Sequence, residues 1–348
     1  MDIKQAINRV VDGENLTQGE MNLAMRQIMS GAATDAQIGA FLVALRIKGE
    51  TVDEITGAVE VMRELATGVN VSGDTLVDIV GTGGDRSNLF NVSTASSVVV
   101  AAAGGRVAKH GNRSVSSKSG AADLLEAAGV ALAITPEQVA HCVDQIGVGF
   151  MFAPAHHSAM KHAIGPRKEL GLRTIFNILG PMTNPAGVKR QLIGVYEKSL
   201  CLPMAEVLGR LGAKHVMVVH SADGLDEIST ADETFVAEYK DGRISQYSIK
   251  PEDYFAQRES LDGLSVEQAE QSLTLILAAL RGEHDKAADL IAINAGAALY
   301  VAGVASSISE GVNLAQQTIQ SGSALSKIQD LVHLTGHFTS EGQGVVKR

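Results

Sequence analysis

This sequence predicts a small helical domain followed by a larger α/β domain with a mostly parallel central sheet. Three observations lead there. The first 70 residues repeat a hydroxyl placed three positions before a carboxylate or amide. From residue 75, short β-rich runs alternate with Ala- and Leu-rich segments. A chain of 348 residues with 45% hydrophobic content can bury one large core or two.

Taken in order, Thr17 with Glu20, Thr34 with Gln37 and Thr51 with Glu54 form capping boxes, in which the hydroxyl satisfies an orphan helix N–H and the acid or amide reaches back. These mark the helices of residues 1–70. The β-rich runs are TLVDIV, GRVAKH, QLIGVY and HVMVVH, with helical stretches between them. Strands separated by helices pair in parallel. Residues 156–180, HHSAMKHAIGPRKELGLRTIFNILG, break the alternation with a polar, helix-compatible stretch ending at Gly180-Pro181, a candidate to rejoin the helical domain. TFVAEYKDGRISQYSI, 234–249, reads as a hairpin about Asp241-Gly242, and from residue 265 or so the chain turns helical to near its end.

Lys and Arg number 29 against 39 Asp and Glu, a formal charge of −10. The attraction that drives binding to nucleic acid or an anionic membrane is therefore missing globally, and any anion site must be built locally. Cys142 and Cys201 are too few for a disulfide scaffold, no run of eighteen apolar residues lacks charge, and MDIKQAINRVVDGEN has no apolar signal core. A cytoplasmic protein without nucleic-acid or membrane partners is the expectation.

Ligands of open α/β sheets collect beyond the carboxyl ends of the strands. After LVDIV comes GTGGD, whose glycines let backbone N–H groups approach an anion, followed by Ser93 and Thr94 at a helix start. After GRVA comes KHGNRSVSSKSG, which gathers Lys109, Arg113 and Lys118 among serines and suggests a local phosphate or pyrophosphate site. After HVMVVH comes SADGLDEIS with Asp223, Asp226 and Glu227, carboxylates that suit Mg²⁺ bridged to substrate phosphates. Alone, each loop has a plain explanation as a turn or a solvated charge cluster. A sheet that brings all three to one rim makes a site the better explanation.

Other candidates carry less. His156, His157 and His162 lack the spacing of a zinc helix, no GxSxG elbow is present, and Cys142 in AHCVDQIG belongs to an amphipathic helix where a packed thiol is the default. Arg167 in GPRKELG is undecided on sequence physics.

The motifs GTGGD, NVST, VAKHGNR, SSKSGAADLLEAAG, PRKELGLRTIFNILGPMTNP and DGLDEIS, in this order and spacing over nearly the whole chain, closely resemble the anthranilate phosphoribosyltransferase family of tryptophan biosynthesis. The resemblance implies a homodimer with a nucleoside phosphorylase/phosphoribosyltransferase-like fold. A helical domain of residues 1–73 plus about 165–190 would be hinged, near 70–75 and 165–190, to an α/β domain of 74–164 plus 191–348. Carried over by motif, Gly81, Gly84, Asp85, Leu89, Asn91, Val92, Ser93, Thr94, Lys109, His110, Gly111, Asn112, Arg113, Ser114, Val115, Ser116, Ser117 and Ala121 would hold phosphoribosyl pyrophosphate. Ser93, Asp226 and Glu227 would organise Mg²⁺ on its pyrophosphate. Gly81, Asn112 and Arg167 would face anthranilate, with Arg167 as partner of its carboxylate, while His110, His156 and His157 line the path. No side chain acts as a covalent nucleophile in this scheme; Lys109, Asp226 and Glu227 stabilise the transition state.

Many family members have Gly at Arg86 and Thr at Leu89; here a hydroxyl is absent and a guanidinium is added, which is expected to offset the loss by charge. Two rivals are weighed. Pyrimidine nucleoside phosphorylases share the glycine loop but not KHGN, the Asp226-Glu227 pair or RTIFNILGP. A non-catalytic nucleic-acid-binding relative fits neither the acidic balance nor the intact acidic loop.

Overall fold

The computed structural model describes residues 1–71, 73, 75–85, 87–114 and 119–344, with side chains through Phe338. Four helices open the chain, Ile3–Val11, Gln18–Met29, Asp35–Lys48 and Val52–Glu64. Thr17, Thr34 and Thr51 each cap the helix that follows, and Glu20, Gln37 and Glu54 bond back to the cap N–H groups. Asp2 and Gln5 form a fourth such box, which the sequence reading passed over. Glu54 does more than cap: fully buried, it also accepts the Leu16 N–H at 2.9 Å and the Lys48 ammonium at 2.8 Å, tying an inter-helix loop to the bundle.

Seven strands form one sheet, β1 Leu76–Gly81, β2 Arg106–Gly111, β3 Val148–Phe152, β4 Arg190–Gly194, β5 His215–Ser221, β6 Thr234–Lys240 and β7 Arg243–Ile249, in the order β3-β2-β1-β4-β5-β6-β7. The first five run parallel, and β6 and β7 add an antiparallel hairpin whose turn places Asp241 at φ 48° and Gly242 at φ 82°. Two left-handed residues in succession are what a tight hairpin demands, so Asp-Gly there was a readable signal. Strand β3 was missed, because VGFMF is short, holds Gly149 and follows the helix Pro136–Ile146 without polar alternation.

Alternation along the strands divides the core. Val77, Ile79, Leu192, Met217 and Val219 face the helices Val92–Ala102 and Asp285–Ala302; Ile193, Val195, Val216 and Val218 face the helix Cys201–Arg210 and share a core with the opening bundle. The interrupting stretch 156–180 packs with the bundle as well. Its helix Lys161–Leu170 lies on Asp35–Lys48 and Gln18–Met29, and Ala163, Ile175, Phe176 and Leu179 enter the bundle core. Cys142 is buried, and burial pushes its thiol up to about 11, so it packs as an unreactive side chain.

Candidate active site

Chain order reverses between β1 and β4. From β1 the chain moves outward to β2 and β3, then crosses back to β4 and continues to β5 on the other side. A crevice opens at the carboxyl ends of two such strands. Two glycines line it for a steric reason. A Cβ on Gly81 would sit 2.4 Å from Asp226 Oδ2, and one on Gly194 would sit 1.5 Å from the Asp226 carbonyl oxygen. The acidic loop after β5 therefore lies directly over the ends of β1 and β4. The Gly83 N–H donates to Asp226 Oδ2 at 2.7 Å, and Gly83 and Gly84 take φ of 64° and 84°, which only glycine adopts freely.

Asp226 is buried, and burial, then the neighbouring Asp85 carboxylate, push its pKa up to about 7. Burial, followed by Asp226, raises Glu227 well above the usual carboxylate range, opposed by the Lys109 ammonium and by the Ser93 N–H. Carboxyls that repel one another out of water are ionised readily by a divalent cation. Among the described residues no three His, Cys, Asp or Glu side chains enclose one point. Two adjacent carboxylates with a hydroxyl nearby suit Mg²⁺, which keeps waters and takes phosphate oxygens instead of demanding a full protein cage.

Lys109 reaches this cluster from β2. Its buried ammonium donates to the Ile79 carbonyl at 2.6 Å and to Ser93 Oγ at 3.2 Å; burial lowers its pKa while Asp78 and Glu227 raise it. Beside it begins the helix Val92–Ala102, capped by Asn91, whose Oδ1 accepts from the Thr94 N–H at 2.9 Å and from Ser93 Oγ at 3.3 Å. Val92 itself is in the core, so its contribution to this end is backbone. Thr94 Oγ1 and Ser119 Oγ are buried with no hydrogen-bond partner among the described residues, and Asn91 Nδ2 donates to the Ser119 carbonyl at 3.3 Å. A helix N-terminus with spare hydroxyls is an anion site in waiting.

His110 and His157 lie with ring centroids 5.1 Å apart, and neither Nε2 has a hydrogen-bond partner among the described residues. Burial, then the neighbouring imidazoles, hold His110 well below the usual value and His157 at about 4, so both are neutral. Their folded pKa values lie below the unfolded value of 6.5, so the stability they permit above 6.5 is lost as pH falls toward 4. The fall in melting temperature between pH 6.5 and 4 should be shallower in His157→Gln than in the parent chain; parallel curves would contradict this. His156 turns away, its Nδ1 bonded to the Thr67 carbonyl at 2.8 Å.

Other residues named from the sequence are placed differently. The Arg113 guanidinium is held by Glu126 and, at 3.4 Å, by Asp123, and it covers the Phe152 ring at 5.5 Å. Asn112 Oδ1 accepts from the Arg113 N–H at 2.7 Å. Asp123 also accepts from the Ser114 and Gly120 N–H groups at 2.9 and 3.1 Å. Gly111 backs onto Phe150 and onto Ala121, the first residue of the next helix. Leu89 packs on the core and bridges Ser265, so its side chain substitutes packing for a hydroxyl. Arg167 lies over the Phe176 ring at 5.1 Å, and among the described residues its half-buried guanidinium has no hydrogen-bond or ion-pair partner. Val115, Ser116, Ser117, Lys118 and Arg86 lie outside the described residues.

The structure also adds residues that the sequence reading missed. Asp78, fully buried, accepts from the His110 N–H at 3.2 Å and from Asn184 Nδ2 at 2.7 Å, which fixes the end of β2. Asn294 exchanges bonds with the Ile228 N–H and carbonyl at 2.9 and 2.8 Å, which fixes the acidic loop. An acid inside the apolar run LVDIV and an Asn inside a buried helix were the available signals.

Comparison with known proteins agrees with this architecture. Residues 4–66 match the glycosyl transferase family, helical bundle domain, and residues 73–325 match the glycosyl transferase family, a/b domain. Anthranilate phosphoribosyltransferases of Marinobacter nauticus and Cellvibrio japonicus are 65% and 67% identical over 342 residues, 97% of this chain and 100% of theirs. The crystal structure of the Thermus thermophilus anthranilate phosphoribosyltransferase superposes with a TM-score of 0.90 at 41% identity, over 95% of this chain and 99% of that one. That of Saccharomyces cerevisiae, in complex with phosphoribosyl pyrophosphate and Mg, gives 0.87 at 25% identity, over 96% and 98%. Two domains in the same order, full-length identity above 60% and the same superposed fold leave one assignment: the chain belongs to the anthranilate phosphoribosyltransferases of the glycosyl transferase family.

Proposed function

We propose that the family's reaction, transfer of the phosphoribosyl group of phosphoribosyl pyrophosphate to the anthranilate amine with release of pyrophosphate, takes place over the carboxyl ends of β1 and β4. The observation that carries this reading is the convergence there of Gly81, Gly83, Ser93, Lys109, Asp226 and Glu227. In this reading Gly81, Gly84, Asp85, Asn91, Ser93, Thr94 and Lys109 hold phosphoribosyl pyrophosphate, together with the segment through Ser117. Gly81, Asn112 and Arg167 receive anthranilate. Ser93, Asp226 and Glu227 hold Mg²⁺, which when bound supplies positive charge to the leaving group.

An arylamine is a weak nucleophile, so the departure of pyrophosphate from ribose C1 carries much of the barrier. Lys109 and the N–H groups at the start of the helix Val92–Ala102 meet the charge that develops on it, without reorganisation at the moment of reaction. Arg167 orients anthranilate through its carboxylate, leaving the amine free to attack. The neutral His110 and His157 add no competing charge to the path. Movement of the helical domain about the segments near 70–75 and 165–190 would exclude water from the sugar cation.

A homodimer is part of this reading. The first and third helices expose Val11 and Ile47, 66% and 82% accessible, beside a shallow apolar groove lined by Ala40, Val43 and Ala44. A second copy of the chain is the occupant we assign to it. Sedimentation should report a dimer that Ile47→Glu converts to monomer; an unchanged mass would place the dimer surface elsewhere. No helix among the described residues is long and apolar enough to cross a membrane, and the two buried free thiols suit the reducing cytoplasm we infer.

Anthranilate fluorescence tests the reaction. It should disappear only when the chain, phosphoribosyl pyrophosphate and Mg²⁺ are all present. Release of thymine from thymidine and phosphate in a parallel tube, with fluorescence unchanged, would move the assignment to phosphorolysis.

A further inference from the structure

Arg173, in the middle of the 156–180 stretch, joins three parts of the molecule and has no place in the scheme above. Its guanidinium donates to the Gly84 carbonyl and lies 4.0 Å over the Tyr196 ring, just beyond β4. Tyr196 in turn donates its N–H to Thr82 Oγ1 at 3.1 Å, so the glycine loop is gripped at both 82 and 84. On its other side, the Arg173 backbone carbonyl accepts from the guanidinium of Arg46, on the helix Asp35–Lys48. A Cβ on Gly84 would come within 2.8 Å of Arg173 Nη2, so the guanidinium fills the space that this glycine leaves open.

The peptide geometry gives the grip a direction. In a trans peptide the carbonyl of one residue and the N–H of the next point to opposite sides. Holding the Gly84 carbonyl toward Arg173 therefore turns the Asp85 N–H away from Arg173. On the preceding side, the Gly83 N–H is directed to Asp226 Oδ2. A loop that binds an anion must present N–H groups and keep its carbonyls averted, and glycines alone, free at φ 64° and 84°, do not choose between the two.

We propose that Arg173 is a positioning residue that locks the Gly84–Asp85 peptide with its carbonyl averted from the pyrophosphate, and that through Arg46 it couples this peptide to the helical domain. The inference rests on the reading of the glycine loop as the phosphoribosyl pyrophosphate site. A guanidinium meets both contacts at once, because it donates to a carbonyl in its own plane while its flat face covers a ring; an ammonium meets either group only as a compact point charge, without a planar face to stack.

Calorimetry of phosphoribosyl pyrophosphate with Mg²⁺ tests it without turnover. Arg173→Ala is expected to weaken binding about tenfold, Arg173→Lys to recover only part of the loss, and millimolar guanidinium to tighten binding to Arg173→Ala while leaving the parent chain unaffected. Arg46→Ala with Arg173→Ala should weaken binding less than the product of the single effects, since both act on one peptide. Where Arg173→Ala fails to fold, Tyr196→Leu carries the test through loss of the ring, with weaker binding again expected. Binding within about twofold of the parent in a folded Arg173→Ala or Tyr196→Leu variant, inside ordinary surface-substitution effects, would overturn the proposal. So would full recovery by Lys, no rescue by guanidinium or multiplicative effects in the double variant. A parent chain that binds no phosphoribosyl pyrophosphate would instead overturn the functional reading beneath it.

Discussion

A chain carrying both Asp226→Asn and Glu227→Gln is expected to lose about 10² to 10³ in kcat, the effect of removing one well-placed electrostatic group from a preorganised site. The amides are chosen to isolate charge. Asn at 226 still offers an oxygen to the Gly83 N–H, and its size leaves the close passage over Gly81 and Gly194 unchanged. Calorimetry gives a second readout, because the Mg²⁺ dependence of phosphoribosyl pyrophosphate binding should disappear with the charges. Stability should move the other way. Burial, with Asp85 beside Asp226 and Asp226 beside Glu227, raises both carboxyls in the folded state, so the parent chain loses stability as pH rises, in the case of Asp226 from its unfolded value of 3.8 through about 7. The neutral variant is spared that loss, and near pH 8 without metal its melting temperature should equal or exceed the parent's. A slow variant that is at least as stable would identify a charge cluster kept for chemistry at the expense of the fold. Near-parental turnover would remove Asp226 and Glu227 from the metal site.

What could be read in the sequence was local. Thr51 with Glu54 announces a helix within four residues, and Asp241-Gly242 announces a hairpin, because both devices act between near neighbours. The loops GTGGD and DGLDEIS were also legible, since a parallel sheet brings the ends of its strands to one rim whatever lies between them. Hidden from that reading were supports that depend on distant partners. Asn184 is 106 positions from Asp78, and Asn294 is 66 from Ile228. Neither residue type nor spacing marks such a pair before the fold exists. Arg113 teaches the opposite lesson: its partners Asp123 and Glu126 follow it closely enough in sequence that this pairing could have been noticed beside the cation count.

Replacing Arg167 by Ala should raise KM for anthranilate about 10- to 100-fold, the range of a hydrogen bond to a charged group, and leave phosphoribosyl pyrophosphate affinity nearly unchanged. The structure supplies the reason. An arginine that is half-buried against Phe176, and that has no acid or carbonyl partner among the described residues, has given up part of its hydration without recovering it from the protein. Burial lowers its pKa, yet a guanidinium stays charged in any protein, so the deficit persists until an anion arrives. A planar aromatic carboxylate matches the fork of the guanidinium in a way that an ammonium cannot, and Arg167→Lys should therefore recover only a minor part of the affinity. If the reverse pattern were measured, with phosphoribosyl pyrophosphate binding lost and anthranilate binding kept, the two subsites would have to be exchanged. The unpaired cation would then belong to a phosphate, and the carboxylate of anthranilate would need a different partner along the path lined by His110 and His157.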